Sequence, residues 1–90
     1  MTKKKTAIAV KYDGKDAPHI TASGHGKDAD EIIQIAEAHD IPISEDPALT
    51  EILAAMPIGE AIPEPLFIAV AELLVWAYEI SEKEPPVTME

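Results

Sequence analysis

Imidazoles, hydroxyls, carboxylates and glycine-rich turns are the groups with which a chain does chemistry, and here they are few or scattered. The three histidines are His19, His25 and His39, and none has a carboxylate or a second histidine at ligand spacing, such as the His-x-x-x-His of a helical zinc site. His25 lies between Gly24 and Gly26, where a ligand has room to approach, and reads as a surface-loop histidine. The stretch Ser23-Gly24-His25-Gly26 precedes a helical pattern, and glycines there expose backbone N–H groups to an anion. It lacks the third glycine and the lysine of nucleotide-binding loops, and Asp28 and Asp30 would repel a phosphate. Ser23, Ser44 and Ser81 have no nucleophile-elbow residues around them. The chain has no cysteine, which excludes disulfides, thiolate zinc sites and thiol catalysis. Most of its 17 acidic side chains are spaced along helix surfaces, where solubility accounts for them. The expectation is a protein with no catalytic residues, no cofactor and no metal. A small hydrolase using His25 with neighbouring carboxylates is the enzymatic rival.

Ninety residues make one domain of modest size, and an apolar share of 47 % is that of a globular protein. Tyr12, Phe67, Trp76 and Tyr78 are the whole aromatic set, so the core must rest on Ile, Leu, Val and Ala. A net charge of −10 repels nucleic acid and anionic lipid. Lys3, Lys4 and Lys5 run against that balance, and read as a solvated terminus rather than a phosphate or lipid contact. The longest apolar stretch, Leu66 to Ile80, holds Glu72 and Glu79 and falls short of the roughly 20 residues of a spanning helix. No signal peptide is visible, and the expectation is a soluble, cytoplasmic chain without stable membrane insertion.

The elements that must position any site follow from periodicity. Residues 6–12 alternate, with Ile8, Val10 and Tyr12 on one side of a strand and Ala7, Ala9 and Lys11 on the other. Asp13-Gly14-Lys15-Asp16 is turn chemistry, and a second strand runs from about His19 to Ala22 until Ser23-Gly24-His25-Gly26 breaks it. Asp28 and Glu31 have the spacing of a capping box, ahead of Ala29, Ile32, Ile33 and Ala36 on one helical face. That helix stops near His39-Asp40, before Pro42, and Ile41 to Ser44 makes a third strand. Asp46-Pro47 starts a second helix, whose buried face is Leu49, Ile52, Leu53 and Met56. Ala61-Ile62-Pro63 bridges to a last helix from about Glu64 to Glu82, and Pro85-Pro86 open a frayed tail. The resulting fold class is a small α/β sandwich of about three strands and three helices in the order ββαβαα, with the first helix as a crossover between parallel neighbours. The domain is taken as residues 1–82 and a flexible acidic tail as 83–90.

The last helix is the informative one. Leu66 to Ala71 and Leu73 to Ala77 are apolar nearly all round, whereas a surface helix of a small domain needs one apolar stripe. Either the helix is buried on most sides, or part of it is meant for a partner, a second copy of the chain included.

Read together, Ala7-Ile8-Ala9-Val10-Lys11-Tyr12-Asp13, Ala17-Pro18, Gly24, Ile41-Pro42-Ile43, Pro47-Ala48-Leu49, Ile58-Gly59-Glu60-Ala61-Ile62-Pro63 and Ala69-Val70-Ala71-Glu72-Leu73-Leu74 form an ordered series. From Thr6 to about Ile80 the series resembles the cytoplasmic domain of the FlhB/YscU export-switch proteins. The family's members are membrane proteins of type III export, whose cytoplasmic domain helps select substrates and switch between classes of them. The resemblance implies an Asn-Pro-Thr-His loop, which cleaves itself after the asparagine. In register it would fall on Thr2, Lys3, Lys4 and Lys5, and none of the four matches. The expectation is a chain that does not self-cleave and resembles the post-cleavage fragment without the membrane part.

The same resemblance implies a substrate-docking patch at Ala17, Pro18, Ala71 and Leu74, where all four residues are those the family uses. Ordinary core packing accounts for Ala71 and Leu74 equally well, and Ala17-Pro18 has the alternative of simply starting a strand. The implied role is a non-catalytic accessory or substrate-docking component of flagellar export. Its implied partners are rod or hook substrates and components of the export gate, at which the cytoplasmic chain would sit peripherally. The structural rival is a homodimer joined through the last helix.

Overall fold

A computed structural model of the protein describes residues 5–12, 17–81 and 87–90. The turn expected at Asp13 to Asp16, the lysines before Lys5, the end of the last helix at Glu82, and Pro85-Pro86 lie outside these residues. Strands β1 (Thr6–Lys11) and β2 (His19–His25) are followed by helix α1 (Lys27–Ala38), strand β3 (Ile43–Ser44) and helix α2 (Pro47–Ala54). A 3-10 turn over Glu64–Leu66 leads into helix α3 (Phe67–Ser81), and strand β4 (Val87–Met89) ends the order. The four strands form one sheet in the order β2-β1-β4-β3. β1 is antiparallel to both its neighbours, and β3 is parallel to β4.

The mixed α/β class and three helices match the sequence reading, but the sheet has a fourth strand. Val87, Thr88 and Met89, expected in a flexible tail, are buried in the interior of the sheet. Val87 and Met89 pair with Val10 and Ile8, and the strand is pinned again where Thr88 N–H donates to Pro42 O and Glu90 N–H donates to Ser44 O. The crossover expectation is corrected with it. α1 carries the chain across the sheet, but β2 and β3 end at opposite edges, because β1 and β4 occupy the places between them.

Alternation along β1 assigns the two faces. Ile8 and Val10 join Ile20, Leu49, Leu53, Ile62, Val70, Ala77, Val87 and Met89 in one buried cluster, so α2 and α3 cover that side. The other side is built from small residues: Ala7 opposite Gly24, and Ala9 opposite both Ala22 and Thr88. α1 covers it with the buried Ala29 and Ala36. Between Ala9 and Val10 the register shifts, leaving Thr21 as an extra residue in β2. This bulge turns Ile20 to the same face as Val10, its partner, where strict alternation from Ala22 would have put it opposite.

Local signals at the helix ends are partly as expected. The backbone N–H of Leu49 donates to Asp46 Oδ1 at 3.2 Å, which makes Asp46 the N-cap of α2 with Pro47 in its first turn. α1 closes in a Schellman motif, since Ile41 N–H donates to Ala36 O and Asp40 N–H to Glu37 O, with Asp40 at φ 55°. Its start differs from the capping-box reading. β2 runs on through His25, the N-cap is Gly26 at φ 58°, and no side chain caps the helix. Gly26 N–H donates instead to Lys5 O at 2.8 Å, so the turn is fixed by β1 and by a backbone that L side chains rarely adopt. On α2, Leu49 and Leu53 are buried, and Met56, expected on the same face, packs at the core margin just past the helix end, but Ile52 is 52 % exposed because the eight-residue helix turns it outward.

Candidate docking site

The start of β2 is covered on its outer edge by the segment before α3. Ile20 N–H donates to Glu60 O, Gly59 N–H to Ile20 O, and Ile62 N–H to Pro18 O at 2.8 Å. Ile62 is buried in the core and Pro63 follows it in extended conformation, so the chain enters the 3-10 turn and α3 from a fixed point. Val70 and Ala77, one heptad apart, seat α3 in the core. At 100° per residue, Phe67, Ala71 and Leu74 then fall on the flank of α3 that faces the start of β2.

The result is an open hollow of about 260 Å3 lined by Tyr12, Ala17, Pro18, Phe67, Ala71 and Leu74. All four residues implied by the family resemblance meet there. Tyr12 and Phe67 complete the lining and were missed as site residues. The signal for Phe67 was present in the sequence, since positions 67, 71 and 74 share a helical face. The lining is apolar except for the Tyr12 hydroxyl and backbone groups. Among the described residues, no carboxylate, imidazole or amine lines it. The volume is below the roughly 300–1,000 Å3 of small-molecule sites. It has room for one or two amino-acid side chains.

The titratable residues assemble elsewhere. Thr6 Oγ1 donates to Glu51 Oε1 at 2.9 Å and lies 3.0 Å from His25 Nδ1. The order is imidazole, hydroxyl, carboxylate, whereas activation of a hydroxyl nucleophile needs the imidazole between the other two. Thr6 is also buried. His39 Nδ1 bonds to Ile35 O in the last turn of α1, and His19 stands opposite Ala61, so the three imidazoles do not converge. Among the described residues, no group of three or more histidines and carboxylates is placed to hold a metal ion. A larger depression of about 590 Å3 lies at the other end of α3, between Ile80, Ser81 and residues 37 and 40–43, with acidic Glu37 and Asp40 at its edge. Lys5, the one described position of the implied cleavage loop, forms an exposed ion pair with Asp30 at 3.2 Å.

Residues 4–77 match the model of the FlhB HrpN YscU SpaS family. The chain belongs to this family. Family membership places it among the export-switch relatives of type III export, and no described helix is long and apolar enough to cross a membrane. Similarity to the uncharacterized protein YlqH of Bacillus subtilis strain 168 is 40 % identity over 78 residues, covering 84 % of each chain. The flagellar biosynthetic protein FlhB of the same organism is 39 % identical over 80 residues, which are 86 % of this chain and 22 % of that protein. FlhB of Salmonella typhimurium is 36 % identical over 77 residues, 20 % of its length. The chain thus spans about a fifth of these flagellar proteins and most of YlqH. Among solved structures, a mutated EscU C-terminal domain superposes with TM-score 0.76 at 33 % identity, covering 80 % of this chain and 90 % of that one. A mutated EscU/SpaS C-terminal domain gives the same TM-score at 34 % identity over 82 % of this chain.

Proposed function

We propose that this FlhB-family domain is a non-catalytic docking module of flagellar type III export. Substrates of the rod or hook class seat an apolar side chain in the hollow beside Ala17, Pro18, Ala71 and Leu74 on their way to the export gate. The observation that carries the reading is that residues from two distant parts of the chain, Tyr12, Ala17 and Pro18 on one side and Phe67, Ala71 and Leu74 on the other, build one solvent-open apolar hollow. A floor of alanine and proline leaves room for a larger side chain, and a rim of Tyr12 and Phe67 supplies aromatic surface to grip it. A site of this size, without charged groups among its described lining residues, binds weakly and releases readily, as transport of successive substrates requires.

The domain works in the cytoplasm, at the membrane export gate and in contact with its components. Catalysis has no place in this reading, because the polar side chains His25, Thr6 and Glu51, which meet among the described residues, hold β1 and β2 to α2.

The test is Ala71→Asp, titrated against an early rod or hook substrate by isothermal calorimetry beside the unchanged chain. Ala71 is exposed, so the substitution should leave stability within about 0.5 kcal/mol while substrate binding is lost. Binding that persists in a folded Ala71→Asp protein would remove the hollow from the mechanism.

A further inference from the structure

α3 buries only Val70 and Ala77, and much of its remaining apolar surface faces solvent. Ile68 is 77 % exposed and Val75 57 %. By helical spacing, Phe67, Ala71, Leu74 and Tyr78 form a stripe that continues out of the hollow, and Ile68 and Val75 form its outer edge. Glutamates border that edge: Glu72 is four residues after Ile68 and three before Val75, and Glu79 is four after Val75. Glu64 stands one turn before Phe67. From Pro57 to Ser81 the chain carries Glu60, Glu64, Glu72 and Glu79 and no lysine or arginine, and all four are exposed.

An apolar stripe whose α3 margin carries one charge sign selects its occupant. A second copy joined through α3 would bring two such margins together. An anionic lipid surface meets the same repulsion, added to the net charge of −10. A neutral segment would cover the stripe and leave the glutamates without partners.

Resting on the docking reading above, we propose that the occupant of the α3 face is a basic amphipathic segment. Its apolar residues fill the hollow and lie along Ile68, Val75 and Tyr78, and its lysines or arginines reach Glu72 and Glu79.

The probes are three labelled synthetic peptides with the same Phe and Leu residues at i and i+4, flanked by lysine, by glutamine or by glutamate. Each is titrated by fluorescence anisotropy against the full chain at low salt and at about 1 M salt, where charges are screened beyond about 3 Å. The lysine peptide should bind roughly three- to tenfold more tightly than the glutamine peptide, from two rim charge pairs, with the glutamate peptide weakest. The ranking should collapse at high salt. Glu72→Gln with Glu79→Gln should abolish the lysine advantage, whereas Asp28→Gln with Glu31→Gln, at the start of α1 on the other face of the sheet, should leave it. Equal binding of the lysine and glutamine peptides, both lost in Ala71→Asp, overturns the basic partner and leaves the docking reading standing. A lysine advantage that responds equally to both pairs of substitutions reflects net charge alone and also overturns it. Failure of all three peptides to bind removes the docking reading and this proposal together.

Discussion

A Cβ built on Gly24 would fall 2.6 Å from the Cβ of Asp28 and 3.1 Å from its carbonyl carbon, closer than side-chain atoms ordinarily approach. β2 and the first turn of α1 therefore meet at backbone range. Ala7, the cross-strand partner of Gly24, and the buried Ala29 keep the surrounding contact equally small. Gly24→Ala must push α1 away from the sheet, because the obstructing atoms belong to the helix backbone and to a Cβ that no rotamer can move. The expected cost is about 1–3 kcal/mol. Urea unfolding would show it as a lower midpoint at unchanged slope, and an unshifted midpoint would mean that α1 has slack.

Val87 and Met89 carry a second prediction, because they fill the core between β1 and β3. Met89→Ala should cost about 2–5 kcal/mol. Removing residues 87–90 takes away the strand that joins β1 to β3 and the Glu90 carbonyl that receives Asp46 N–H. For a domain whose whole stability is on the order of 5–15 kcal/mol, the shortened chain should be unfolded by circular dichroism. A shortened chain that melts like the full one would show that the sheet closes without β4.

These two sites mark the division between what the sequence discloses and what it does not. Asp46-Pro47 and the stop before Pro42 act within one turn of chain, so their residues announce them. β1 is long enough to show its alternation. β4 has three residues, too few for a period, and its conformation comes from pairing with a strand at the other end of the chain. Gly24 reads as a strand breaker, though what the fold uses is its lack of a side chain inside a continuous strand. Ala17, Pro18, Ala71 and Leu74 came from family resemblance. Tyr12 and Phe67 join the hollow only once Ile62 and Pro18 fix where α3 begins.

Thr6 has one hydroxyl proton, and it goes to Glu51. The 3.0 Å approach of His25 Nδ1 to the same oxygen then requires the imidazole to donate, which fixes the neutral ring as the Nδ1–H tautomer. Nitrogen-15 NMR of the imidazole at neutral to alkaline pH should report that tautomer, the minor one for a free histidine in water. Thr6→Val should release His25 to the ordinary Nε2–H form and cost about 1 kcal/mol in lost hydrogen bonds. An Nε2–H ring in the unchanged protein would show that the Thr6 proton points to His25 instead.

Thr21 is the extra residue of the bulge, and its side chain does little there. Its hydroxyl is exposed and donates to Ala9 O at 3.3 Å, so Thr21→Val should change stability by less than about 0.5 kcal/mol. Deleting Thr21 removes the bulge itself. Ile20 then directly precedes Ala22, so regular alternation keeps it on the core face opposite Val10, and the pairs Ala9–Ala22 and Val10–Ile20 keep their register. Pro18 and Ile20 can keep their three bonds to residues 59–62, and with them the anchor that brings α3 against Ala17 and Pro18. The deletion variant should therefore stay folded and bind substrate, as Thr21→Val does. Calorimetric melts of the two variants, followed by the same substrate titration, check this. A deletion variant that unfolds or no longer binds would show that the hollow depends on the local twist of the bulge and not on strand pairing alone.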